Sequence, residues 1–280
     1  MPMVFRALLL VLLLAPAAPA PAATIGDAAP LAIGETFTIE SQVLGETRRI
    51  NVYRAPGYGA APDAALPVLY MPDGGIGEDF LHVAGLVQVS VMNGTMRPFM
   101  VVGIENTERR RDLTGPTDNA EDRKIAPRVG GSAAFRAFLR DELMPAIDAR
   151  YATSGQTAIV GESLAGLFVV ETFLLAPGLF DQHIAIDPSL WWNDGALLEG
   201  LDAHLGGRGD EPGVLFLAHS GQVELAAATA RLAWALRAAA KPELRVEYAP
   251  MPGERHQTIY HPAALGAFRA LFEVPGDEMD

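Results

Sequence analysis

Six short apolar runs, each closed by turn residues, restrict this chain to an architecture built on a buried sheet. They are Val68–Met71, Phe99–Ile104, Thr157–Val160, His183–Ile186, Val214–Ala218 and Leu244–Tyr248. A run that is apolar on both faces belongs to a strand covered on both sides, which is the habit of parallel sheets. Helix-like stretches alternate with these runs. Ser132–Arg150 offers Ser132 as an N-cap and carries Phe135, Phe138, Leu139, Leu143 and Ile147 at helical spacing. Leu164–Leu175 is apolar throughout, Glu224–Ala240 is Ala-rich and amphipathic, and Pro262–Phe272 closes the pattern with Pro near a helix start. Upstream, Thr36–Val43 and Arg48–Arg54 alternate apolar and polar residues around Gly45-Glu46, the pattern of an antiparallel hairpin. The expectation is an α/β fold. It has a mostly parallel central sheet, an N-terminal antiparallel hairpin and helices on both faces. No linker interrupts residues 24–275, so they are expected to form one domain.

Composition narrows the class further. Half of the 280 residues are hydrophobic and a fifth are charged, which excludes disorder as the main state. The formal net charge of -13 argues against nucleic acid or anionic lipid as a partner. Absence of cysteine excludes disulfides, a thiol nucleophile and Cys-ligated metal. The first residues carry Arg6, an apolar run over Leu8–Leu14, prolines at 16, 19 and 21, and Ala20-Pro21-Ala22 as a small-x-small cleavage signal. Residues 1–22 therefore read as a secretory signal peptide, with a mature start near Ala23. The apolar run is too short to span a bilayer, and no Cys follows it for lipidation. A periplasmic or secreted bacterial protein is expected, free of the membrane once the leader is cleaved.

The chemistry is concentrated at one turn. Thr157–Val160 runs into Gly161-Glu162-Ser163-Leu164-Ala165-Gly166, and a helix follows. A serine at a tight strand-to-helix turn has its Oγ presented above the sheet, at a helix N-terminus whose amides can face an oxyanion. The usual Gly-x-Ser-x-Gly pattern has Ala165 at its last position here. Small residues at 161 and 165 let strand and helix approach closely. Such a nucleophile elbow belongs to the α/β-hydrolase fold and predicts the chain order nucleophile, acid, His.

His256, in Gly253-Glu254-Arg255-His256 after the last strand, is the expected base; His261 is the alternative. Glu224, which follows the Val214–Ala218 strand, is the leading acid. Asp187, at the end of the strand before, is the alternative, and a Ser-His pair without a dominant acid is a third arrangement. The Leu164 amide is expected as the first oxyanion donor. The Gly74 amide, in the Asp73-Gly74-Gly75 loop after Val68–Met71, is expected as the second, unless that segment is an ordinary Asp-Gly turn.

Several segments, in order, resemble the Putative esterase family of α/β hydrolases, the group of esterase D and the enterobactin-type siderophore esterases. They are Val68–Gly74, Arg109–Thr114, Gly161–Phe168, Asp187-Pro188-Ser189-Leu190-Trp191-Trp192 and Gly253–His256. The resemblance spans roughly residues 36–272. It implies a serine hydrolase of carboxylic esters that needs no cofactor and no metal, with Ser163 as nucleophile and His256 as base; it supports Glu224 less firmly. Two departures, Pro72 where relatives often carry an apolar residue and Asp187 where they often carry Ser, bear on pocket shape. Of the three arginines Arg109, Arg110 and Arg111, Arg111 is expected to hold an anionic or catecholate ester, the other two being solvated. Trp191 and Trp192 are expected to wall a pocket for an aromatic acyl group, or else to belong to the core. A small-molecule ester is the expected substrate, and the resemblance points to a siderophore trilactone. Acyl transfer on the same fold, or a binding protein with a dead hydrolase fold, are the competing readings.

Overall fold

In the computed structural model, which describes residues 25–54, 61, 63–239 and 241–274, eight strands pair in the order β1-β2-β4-β3-β5-β6-β7-β8. The leader expected at 1–22 lies outside the described residues. β1 (Glu35–Ser41) and β2 (Glu46–Arg54) form the expected hairpin, whose turn takes Gly45 through φ 66°. β2 runs antiparallel to β4 (Met100–Ile104). From β4 onward every pairing is parallel, through β3 (Leu66–Met71), β5 (Thr153–Glu162), β6 (Gln182–Ile186), β7 (Gly213–His219) and β8 (Leu244–Pro250). Each of the six apolar runs became a strand. β3 and β4 are buried at every residue, as the two-sided apolar pattern required.

The helices are α1 (Phe80–Met92), α2 (Arg109–Asp112), α3 (Ala120–Lys124), α4 (Ser132–Phe138), α5 (Met144–Arg150), α6 (Leu164–Leu175), α7 (Trp192–Glu199), α8 (Leu201–Gly207), α9 (Val223–Ala238) and α10 (Tyr260–Leu271). They cover both faces of the sheet. On one face Phe135, Phe138, Phe168, Phe173, Leu232 and Leu236 form a continuous core with the strands. On the other, Phe80, Val83 and Val87 of α1 meet Phe268 and Phe272 at the C-terminal end. Each such side chain contributes roughly 1.5–3 kcal/mol by leaving water. α6 has no polar face because the core surrounds it; only its last residue, Leu175, reaches solvent.

The stretch 132–150 is not the single regular helix expected. α4 and α5 are joined by a π-helical segment, Leu139–Leu143. Pro145, two residues beyond it, has no N–H to donate to the residue four back, which favours a rearranged ladder there. Nor does Ser132 cap the helix. Gly131 occupies that position, and the Ser132 hydroxyl donates to Glu171 at 2.7 Å. Among the described residues no helix is long and apolar enough to cross a membrane.

Candidate active site

Strand register builds the site. Glu162 pairs with Ile186 and Ile186 with Ala218, so Ser163 and Asp187 leave adjacent strands at the same level. Ser163 is forced to φ 61°, ψ -119°. Its N–H donates to Ile186 O at 3.1 Å, and its carbonyl accepts from the amides of Leu167 and Ser189 at 2.9 and 3.0 Å. The elbow therefore needs glycine at two places. A Cβ on Gly161 would lie 2.5 Å from the Ala165 carbonyl carbon, and one on Gly166 would lie 2.9 Å from Ile186 O. Position 165 itself has room for a methyl because Gly161 opposite lacks one. The Leu164 N–H, first in α6, has no acceptor within its own helix and is free for an oxyanion.

His256, in the loop between β8 and α10, bridges the two strand ends. Its Nε2 is 3.1 Å from Ser163 Oγ and its Nδ1 is 2.7 Å from Asp187 Oδ2. The other carboxylate oxygen of Asp187 accepts the Ser220 amide at 2.8 Å. Burial pushes the Asp187 carboxyl up, but the hydrogen bonds from His256 and Ser220 outweigh it and hold the group below its ordinary 3.8. The hydrogen bond to Asp187 raises His256 above 6.5, burial opposing and the nearby Glu162 charge adding to the rise. A hydroxyl, an imidazole and a buried carboxylate in this chain of contacts can transfer a proton from Ser163 to His256 while Asp187 holds the ring in place.

Three expectations are corrected, and Trp192 follows the second of its two readings. Glu224 is exposed in the first turn of α9 and does not approach His256; Asp187 holds that position. β6 is the direct neighbour of β5, whereas β7 starts about 10 Å away from it, two strand spacings. The end of β7 supplies the Ser220 amide to Asp187 instead of an acid. The Gly74 N–H is already committed to Ile104 O at 2.9 Å, because this glycine packs directly on the β4 backbone, and the next amide, Gly75, donates to Glu78. Arg111 is mostly buried and saturated: it donates to Asp112 at 2.7 Å and to both oxygens of Glu46 at 3.0 and 2.7 Å. Arg48, fully buried, joins this network through Asp112 at 2.5 Å. Trp192 is core, its indole N–H donating to Gly115 O at 2.9 Å; Trp191 is 43% exposed.

Arg109, which the sequence reading left to solvent, and residues to which it gave no role complete the surroundings. Arg109 is clamped on Asp73 by two hydrogen bonds of 2.7 and 2.8 Å, and its charge is felt at both His256 and Glu162. Asp73, at φ 56°, also accepts from Asn106. Position in the Asp73-Gly74-Gly75 turn was the only available sign of its role. Glu162 Oε1 lies 3.4 Å from His256 Nδ1. His261, the alternative base, is instead hydrogen-bonded to His82 at 3.1 Å. Beyond Trp192 the backbone makes three successive left-handed residues, Asn193, Asp194 and Gly195. Through Asn193 and Asp194 they clasp the Thr117–Asn119 segment.

A mostly parallel sheet with helices on both faces and a strained serine at the β5–α6 turn defines an α/β hydrolase. Within that class the chain belongs to the Putative esterase family, whose model matches residues 41–248. The ferri-bacillibactin esterase BesA of Bacillus subtilis is 30% identical over 56% of this chain and 59% of its own length. The siderophore triacetylfusarinine C esterase of Aspergillus fumigatus is 36% identical over 34% of this chain and 32% of its own. The alignments thus span between a third and three-fifths of these curated relatives. Among solved structures, an IroE-like serine hydrolase from Shewanella oneidensis superposes with a TM-score of 0.74 at 28% identity, covering 85% of this chain and 80% of that one.

Proposed function

We propose that this chain is an exported serine hydrolase that cleaves carboxylic esters of siderophore type through an acyl-enzyme. The observation that carries the reading is the bridge made by His256 between Ser163 Oγ and Asp187. His256 Nε2 takes the Ser163 proton as Oγ attacks the ester carbonyl carbon. The carbonyl oxygen becomes an oxyanion that accepts the Leu164 N–H. The carbon–oxygen bond to the alcohol then breaks, and His256 returns the proton to the departing oxygen. Water repeats the sequence on the acyl-enzyme and frees Ser163. Asp187 stays ionised throughout and stabilises the imidazolium.

The siderophore part rests on two supports. One is the activity carried in the names of the relatives. The other is a groove of about 320 Å³ lined by Arg109, Arg110, Arg111, Arg128 and Glu108, in which Arg110, bonded to the Ile125 carbonyl and to no carboxylate among the described residues, is the charge that suits an anionic ester. Arg109 lines that groove, and its charge is felt at His256. Purified protein tested on ferric siderophore trilactones, feruloyl esters and short acyl esters, with and without an added alcohol acceptor, checks the reading. Ring-opened siderophore as the fastest product supports it. Inertness toward every ester overturns it, and transfer to the alcohol in preference to water favours an acyltransferase.

The pH dependence follows from His256. Its proton is held more tightly than the ordinary 6.5, so kcat/KM should rise with pH through a midpoint above that value. His256→Ala should abolish the rise and His261→Ala should leave it in place. A limb that disappears only with His261 would move the base.

A further inference from the structure

His256 Nδ1 faces two carboxylates, not one. Asp187 is at 2.7 Å and Glu162, the residue immediately before the nucleophile, is at 3.4 Å. Glu162 is the last residue of β5 and is paired through its backbone with Ile186 of β6, so its position is fixed by the same register that brings Ser163 and Asp187 together. Its side chain is only 18% exposed, and among the described residues His256 is its one close polar partner. A carboxylate in such a place, with no amide or guanidinium bonded to it and Asp187 close by, works against folding. Nothing in the packing of β5 requires it.

We infer that Glu162 is a positioning residue for His256, a second carboxylate that shares with Asp187 the work of orienting the imidazole and stabilising the imidazolium formed during attack. The inference rests on the serine-hydrolase reading above. Every element packed around Glu162 brings a titratable or charged group toward it. Asp187 ends β6, Asp79 precedes α1, Arg109 belongs to α2, His256 lies in the β8–α10 loop, and Tyr260 and His261 begin α10. With His82 of α1, several of these line a pocket of about 410 Å³ beside the catalytic imidazole. Burial, with the like charges of Asp187 and Asp79, outweighs His256 and Arg109 and pushes Glu162 up to about 7. Glu162 and His256, 3.4 Å apart, therefore influence one another's protonation and titrate as a pair.

The test is the pH profile of kcat/KM for a p-nitrophenyl ester, measured on wild type, Glu162→Gln, Glu162→Asp, Asp187→Asn and the Asp187→Asn/Glu162→Gln double variant. Removing the Glu162 charge makes the imidazolium easier to deprotonate. The acid limb of Glu162→Gln should move down by about 0.5–1 pH unit. If that stabilisation is expressed in the transition state, the plateau falls about tenfold. Glu162→Asp, which keeps the charge at longer range, should lie between. Thermal stability of Glu162→Gln should be unchanged or higher, which a structural role would not give. In Asp187→Asn the remaining carboxylate is Glu162, so the double variant should lose more than the two single losses combined. A wild-type acid limb in Glu162→Gln, with a double variant no worse than Asp187→Asn, overturns the inference. Ser163→Ala run in parallel separates the two levels. If it keeps activity the hydrolase reading fails; if it is dead while Glu162→Gln keeps the wild-type limb, only Glu162 is misassigned.

Discussion

Ser163→Ala is expected to lower turnover of p-nitrophenyl esters about a million-fold, the usual cost of deleting the nucleophile of a triad. It should also end labelling by a serine-directed fluorophosphonate while leaving the circular dichroism spectrum and melting temperature close to wild type. The fold should survive because alanine asks nothing new of the backbone: Ser163 already carries a Cβ at φ 61°. The Ser163 hydroxyl makes contacts with His256 Nε2, which stays partly exposed without it, and with Ser189 Oγ, a long contact of 3.3 Å whose loss costs little. Near wild-type activity in this variant would place the chemistry elsewhere.

Asp187→Asn should cost about a thousand-fold in kcat/KM, somewhat less than the ten-thousand-fold seen where a triad carboxylate has no neighbour, because Glu162 remains at Nδ1. Asparagine suits the site sterically and tolerates φ 45° better than most residues. If its amide oxygen keeps the Ser220 N–H, its NH2 group points at His256 Nδ1. That nitrogen must then accept, the proton moves to Nε2, and Nε2 can no longer take the Ser163 proton. Glu224→Gln is the matching control and should leave kcat/KM within about twofold, as exposed substitutions away from a site do. The opposite pattern, loss at Glu224 and none at Asp187, would return the acid to α9.

These two variants also mark the boundary of what the sequence disclosed. The buried strands were legible because a strand covered on both faces carries an apolar residue at almost every position, as β3 and β4 do. The proposed nucleophile and base, Ser163 and His256, stood out because an elbow and a chain order are local or one-dimensional patterns. α1 escaped because it is apolar on most sides and carries Gly85 in its middle, so it shows little helical periodicity. The carboxylate that meets His256 was misplaced because its position depends on sheet register, on Glu162 sitting opposite Ile186, which no local pattern states. Gly74 failed as a donor for a similar reason: its amide is consumed by Ile104, a partner 30 positions along the chain. Arg109 and Arg111 are indistinguishable in a run of three arginines until β2 supplies Glu46 to bind one of them.

Three non-glycine residues with left-handed φ, Asp73, Ser163 and Asp187, close β3, β5 and β6, which are consecutive in the sheet. Each conformation costs on the order of 1–3 kcal/mol that glycine would largely avoid. Laboratory evolution for heat tolerance would therefore find three attractive glycine replacements side by side, and each would erase a side chain that holds or performs the proposed chemistry. A library selected on melting temperature alone would drift toward sturdy, inactive proteins, whereas one selected on activity would keep these positions fixed and gather its gains in the helices.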